Sequence, residues 1–238
     1  MRFIIHEMPY EKPLTAGQWT YVLDGQATGA VEQWRLTEAV DGYSFLRVDL
    51  DARAARSGRS YVYHMTLDES GTPVQLKYRY WATGLEIIGT VLLEEDAVIA
   101  TRETSSGRQE DVLKVPAGYA FWFPATAGLG LLAGLEGSES RKAVSLRTAT
   151  ADPALLMSPL LTEVTIDKAE AKAVEVMGKE ESARGLTIYW DDQQRKLWVD
   201  NDGWPLRMKR GDGLTAVVTR AIKYQRITGP GAGKTAGR

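Results

Sequence analysis

The chain has no cysteine. Thiol nucleophiles, disulfides and thiolate metal sites are therefore excluded together. Histidine is scarce as well. Only His6 and His64 occur, with neither a His-x-His nor a His-Glu-x-x-His spacing to build an imidazole metal centre. An excess of charge of either sign is lacking. The 29 Lys and Arg against 31 Asp and Glu leave a formal net charge of −2, and the basic residues are spread along the chain. No field of that kind draws in nucleic acid or an anionic membrane. There is no Gly-x-Ser-x-Gly nucleophile elbow.

Long hydrophobic runs are also lacking. The longest uncharged stretch, Val115 to Leu135, is interrupted by Pro116 and Pro124 and by Gly118, Gly128, Gly130 and Gly134. It is poorly built for the ~20-residue apolar helix that spans a bilayer. The N-terminal apolar run, Phe3-Ile4-Ile5, is too short for a signal-peptide core. These points lead to the expectation of a cytoplasmic protein, or a periplasmic one if the N-terminus has been trimmed, without stable membrane insertion. No metal or other cofactor is expected.

Near the C-terminus, Gly229-Pro230-Gly231-Ala232-Gly233-Lys234-Thr235 resembles a phosphate-binding loop. Thr228 stands where that pattern needs its first glycine. The segment reads as part of a disordered tail over 227–238, rich in Gly, Ala, Thr and Lys, after a single domain over 1–226.

What the sequence does have is alternation. One face of Tyr61–Leu67 carries Tyr61, Tyr63, Met65 and Leu67, and one face of Val74–Tyr80 carries Val74, Leu76, Tyr78 and Tyr80. A period of two in β-branched and aromatic residues means half-buried strands. The same pattern predicts strands over Gln18–Leu23, Gly29–Thr37, Tyr43–Ala52, Leu85–Leu93, Ala97–Thr104 and Val144–Thr148. Later ones are Thr162–Ile166, Ala173–Met177, Leu186–Trp190, Lys196–Asp200, Leu206–Lys209 and Thr215–Tyr224. Turn pairs such as Asp24-Gly25, Ser57-Gly58, Ser70-Gly71 and Asp202-Gly203 separate them. Short strands at this density indicate an all-β fold with minor α content.

Two hairpins share one pattern. Asp68, Gly71, Pro73 and Lys77 recur at the same offsets as Asp200, Gly203, Pro205 and Lys209. Asp caps the turn, Gly takes positive φ, and Pro begins the next strand where no ladder donor is needed. A common local solution explains this without duplication, and two related halves is the alternative. Phe121–Leu135 suggests a short helix or buried loop, and Asp152-Pro153 a helical turn. Residues 167–183 are balanced between helix and strand, with strand preferred because strands flank them.

Glu94-Glu95-Asp96 and Asp191-Asp192 are read as solvated turn carboxylates, and His64 as a hydrogen-bonded or solvent-facing strand histidine. The seven tryptophans carry more information. Placed on alternating strands beside tyrosines, they fill a plain core or line the interior of a curved sheet.

The order of features resembles the Lol-type lipoprotein carriers of bacteria and their uncharacterised relatives. The stretches concerned are Gly17-Gln18-Trp19-Thr20-Tyr21, the Tyr61–Trp81 hairpin, the apolar insertion, and Leu186–Asp191 leading to Asp202–Lys209. The resemblance implies a curved antiparallel sheet of about eleven strands, a half-barrel or open barrel. A short helical insertion would cover its concave face, and an apolar cavity would take an acyl or similar group. The expected function is non-enzymatic binding or carriage of a hydrophobic small molecule or lipid. Strand parity nominates Trp34, Tyr63, Met65, Tyr78, Tyr80, Phe121, Trp122, Leu131 and Trp190 as ligand-binding. The alternatives are a solidly packed interaction module presenting the Trp198–Trp204 hairpin, and an enzyme using His64, Arg79 or Glu86 inside the cavity.

Overall fold

The computed structural model describes residues 7–56, 58–135 and 140–224. The tail over 227–238, the loop-like Gly229–Thr235 segment, His6 and Ser57 lie outside the described residues. The first arm of the fold runs β1 (Lys12–Leu23), β2 (Gln26–Glu38), β3 (Ser44–Ala52), β4 (Arg59–Leu67), β5 (Pro73–Ala82), β6 (Leu85–Leu93), β7 (Ala97–Thr104) and β8 (Gly107–Lys114). The insertion follows, with β9 (Ala120–Phe121), helix α1 (Thr126–Gly130) and a 3-10 turn at Ala133–Leu135. The second arm contains β10 (Arg141–Leu146), β11 (Pro159–Val176), β12 (Lys179–Trp190), β13 (Gln193–Val199), β14 (Pro205–Arg210) and β15 (Thr215–Lys223).

All the strands join one open sheet in the order β8-β7-β6-β5-β4-β3-β2-β1-β15-β14-β13-β12-β11-β10-β9. The terminal strands β1 and β15 pair antiparallel at its centre, with Trp19 opposite Val218. The only parallel pairing described is that of β9 with β10. The outermost strands β8 and β9 are not paired with each other, yet only Val115–Tyr119 connects them. So short a connection reaches on the order of 20 Å, so the sheet bends back on itself. Contacts across the gap hold it there. Arg102 donates to the Ala154 and Leu156 carbonyls at 2.5 and 3.0 Å, and the Tyr78 hydroxyl donates to the Met157 carbonyl at 3.0 Å.

The expected number of strands, about eleven, is corrected to 15. Two predicted strands, Thr162–Ile166 and Ala173–Met177, are one long β11 that carries an irregularity between Ala169 and Lys172. β8 escaped notice because Gly107-Arg108-Gln109-Glu110-Asp111-Val112-Leu113-Lys114 has no apolar face to alternate. It is an exposed edge strand whose charges discourage pairing with another chain. Residues 167–183 are strand on both sides of a turn at Met177-Gly178, in keeping with the strand preference.

Strand parity holds where it was read. Tyr61, Tyr63 and Met65 of β4 pair with Tyr80, Tyr78 and Leu76 of β5, and all six are buried. The repeated hairpins also have a local explanation. Asp68 N–H donates to the Thr72 carbonyl and Asp200 N–H to the Trp204 carbonyl, both at 2.9 Å, while Gly71 and Gly203 adopt φ of 83° and 84°. The Ala39–Tyr43 and Arg210–Leu214 turns close with the same two backbone hydrogen bonds. One turn geometry used repeatedly accounts for the shared pattern without duplication.

The insertion sits between the arms. Phe123 packs on Tyr63 of β4 with ring centroids 4.6 Å apart, and the Gly130 Cα lies against Pro205 of β14. Beside it, Trp34 stacks between Trp19 and Trp204, with centroids 5.3 and 4.7 Å away. The Trp34 indole lies over Gly17, where a Cβ would approach its Nε1 to 2.6 Å. At Asp152-Pro153 the predicted turn forms, capped by Asp152 Oδ1 accepting from Ala154 N–H at 2.9 Å.

Candidate functional site

α1 is too short to persist by propensity, and its N-terminus is held from outside. Glu32 of β2 is fully buried and accepts hydrogen bonds from Thr126 N–H at 2.9 Å and Ala127 N–H at 2.8 Å. The Tyr21 hydroxyl of β1 also donates to this carboxylate, and Tyr21 Oη lies 2.8 Å from Thr126 Oγ1. Burial raises the pKa of Glu32, partly offset by these donors, and burial together with the Glu32 charge raises Tyr21 well above its ordinary value. One buried carboxylate thus pins the insertion to the first arm.

Next to this anchor the interior is unfilled. A cleft of about 910 Å³ is lined by residues of both arms and the insertion, from Tyr21 to Leu214. That volume is near the upper end for small-molecule sites. Its apolar lining includes Leu50, Leu129, Leu146, Leu160 and Met208. Trp122 and Trp190 meet edge to face in the lining, with centroids 4.8 Å apart.

The polar lining is unbalanced. Arg56, Arg147, Arg195 and Arg210 all border the cleft, whereas Asp191 is its one carboxylate. Asp191 accepts from Thr162 Oγ1 at 2.8 Å, and Arg210 is paired with Asp212 at 2.7 Å. Arg195 donates to the Gln194 carbonyl and to Gln193 Oε1, and its guanidinium lies 5.0 Å from the Trp190 ring centroid. Burial and the neighbouring Arg210 charge lower its pKa to about 10. Arg147 is fixed through its backbone, which bonds to Ser158 and Met157. Arg147 Nε, Ser145 Oγ and Trp122 Nε1 are buried without a hydrogen-bond partner.

Of the residues nominated by strand parity, Trp122 and Trp190 line the cleft. Trp34, Tyr63, Met65, Tyr78, Tyr80 and Phe121 are buried in the packed core, and Leu131 packs against it. The enzymatic candidates lie elsewhere. Arg79 and Glu86 form an ion pair across β5 and β6, and His64 packs edge-on against Phe45 with centroids 5.5 Å apart. Its Nε2 is buried without a hydrogen-bond partner, while the residue as a whole is half-buried. Among the described residues, no three His, Cys, Asp or Glu side chains converge on a possible metal position.

Glu32, Ser145, Arg147 and Arg195 were not singled out from sequence. Glu32 was legible in principle, since it shares strand parity with Trp34. Arg147 follows Ser145 by the strand period just beyond β10, a polar pair continuing a buried strand. The convergence of Arg195 with them depends on the sheet's bending and has no local signal.

No protein-family model matches the chain, and neither does any curated protein or solved structure. The likeness to lipoprotein carriers therefore rests on the order of sequence features alone. No helix among the described residues is long and apolar enough to cross a membrane.

Proposed function

We propose that the protein binds a hydrophobic small molecule or lipid in the cleft between the two arms of its sheet. The observation that carries this reading is the cleft itself. The core elsewhere is packed around the Trp19–Trp34–Trp204 stack and Phe123, while about 910 Å³ beside α1 stays open, with Leu50, Leu129, Leu146 and Leu160 in its lining. Apolar burial with a few placed polar groups is the usual make-up of a small-molecule site.

The interaction-module alternative has less support. Trp204 is already stacked on Trp34, and Trp198 is buried with Lys172 Nζ 4.5 Å from its ring centroid. The hairpin therefore has little free aromatic surface to offer a partner.

Native mass spectrometry and organic extraction of the purified protein test the proposal, together with titration of a fluorescent fatty-acid probe. The expected result is a co-purifying apolar adduct, or saturable probe binding that weakens in Trp190→Ala. A protein that carries no adduct and gives no probe response overturns it.

A further inference from the structure

The cleft has an excess of donors. Three of its arginines, Arg56, Arg147 and Arg195, form no ion pair among the described residues, and the fourth, Arg210, is engaged by Asp212. Arg147 Nε, Ser145 Oγ and Trp122 Nε1 are buried without partners along one wall. Buried donors without acceptors are costly unless something supplies the acceptor. Arginine matches the planar, bidentate geometry of carboxylate and phosphate oxygens. Leu50, Leu129, Leu146 and Leu160 supply apolar surface in the same cavity. A neutral hydrocarbon would cover the leucines and leave the donors unmet, and a free inorganic anion would do the reverse.

Resting on the reading of the cleft as a hydrophobic-ligand site, we infer that its ligand is an anionic amphiphile. The carboxylate or phosphate head would be received by the guanidinium groups of Arg147 and Arg195. The hydrocarbon tail would lie on the leucine lining. Two unpaired guanidinium groups also make capture sensitive to ionic strength, because only the charged head is attracted by them.

The test first compares ligands on the unaltered protein, and this comparison does not depend on any variant folding. Hexadecanoate, hexadecanol, lysophosphatidic acid of the same chain length and inorganic phosphate are each titrated against a bound fluorescent fatty-acid probe. Hexadecanoate or lysophosphatidic acid is expected to bind about tenfold or more tighter than hexadecanol, the worth of one charge-assisted hydrogen bond. The better of the two identifies the head group. Added salt should weaken its binding and leave hexadecanol unchanged. In Arg147→Gln and Arg195→Gln the preference for the anion should fall about tenfold, while Arg195→Lys should retain part of it.

Equal binding of hexadecanol and both anions overturns the inference and leaves the hydrophobic-ligand reading standing. Displacement by inorganic phosphate as effective as that by the amphiphiles also overturns it, in favour of a site for the free anion. No binding of any probe removes both readings.

Discussion

Replacing Glu32 tests how the insertion is held over the cleft. The carboxylate is fully buried and accepts from Thr126 N–H, Ala127 N–H and the Tyr21 hydroxyl. Glu32→Leu has similar volume but offers no acceptor. It leaves the two N–H groups and the phenol without their carboxylate, and each such buried donor costs about 1–3 kcal/mol. The expected loss is about 3–5 kcal/mol, a large share of the ~5–15 kcal/mol by which such a domain is stable. Glu32→Gln keeps one acceptor oxygen but turns an amide N–H₂ toward the other donors, so its loss should be smaller, about 1–3 kcal/mol. Burial holds the folded Glu32 pKa above its unfolded value. Its contribution is therefore fully present below the unfolded value and is lost as pH rises through the folded one. The gap between the native chain and Glu32→Gln should accordingly widen on acidification. Urea denaturation followed by circular dichroism gives these differences if the slope is unchanged. A Glu32→Leu protein within about 1 kcal/mol of the native one would refute the anchoring role.

Further outcomes follow from other sites. Burial, with Arg47 and Lys77 as cross-strand neighbours, holds His64 at about 4. Its contribution is present above the unfolded value near 6.5 and is lost as pH falls through the folded one. Between pH 7 and 4 the native protein should lose about 2 kcal/mol more than His64→Gln, after allowing for the exposed part of the ring, and parallel urea midpoints would contradict this. Gly89→Ala places a Cβ inside the Tyr78 ring position, so the ring must move and its hydrogen bond to Met157 weaken. A loss of about 1–3 kcal/mol is expected in chemical denaturation, and an unchanged midpoint would show that the ring relocates freely. Asp200 caps its hairpin through Asp202 N–H and Trp204 N–H and also pairs with Lys223. Asp200→Ala should cost about 1–2 kcal/mol, and Asp68→Ala in the exposed twin hairpin less. The reverse order of melting temperatures would count against the role given to burial.

Alternation was enough to locate most strands, because a half-buried strand must place apolar side chains at every second position. It set the faces of β4 and β5 correctly, where Tyr61, Tyr63 and Met65 meet Tyr80, Tyr78 and Leu76. Turn chemistry was equally local, and the Asp-x-x-Gly hairpins form as their residues require. These features depend on neighbours within a few positions, so a sequence can determine them. Strand order is different. The pairing of β1 with β15 joins residues about two hundred positions apart, and only the folded chain decides it, because partners are chosen by the burial of the whole sheet. The exposed β8 lacked the apolar face that alternation reads. Glu32 shares the parity of Trp34, but its role as the acceptor for the first N–H groups of α1 depends on a contact some ninety positions away. The cleft gathers Arg56, Arg147 and Arg195 from three distant parts of the chain. That gathering is a property of the bent sheet, which brings both arms to one space, and no local rule of sequence contains it.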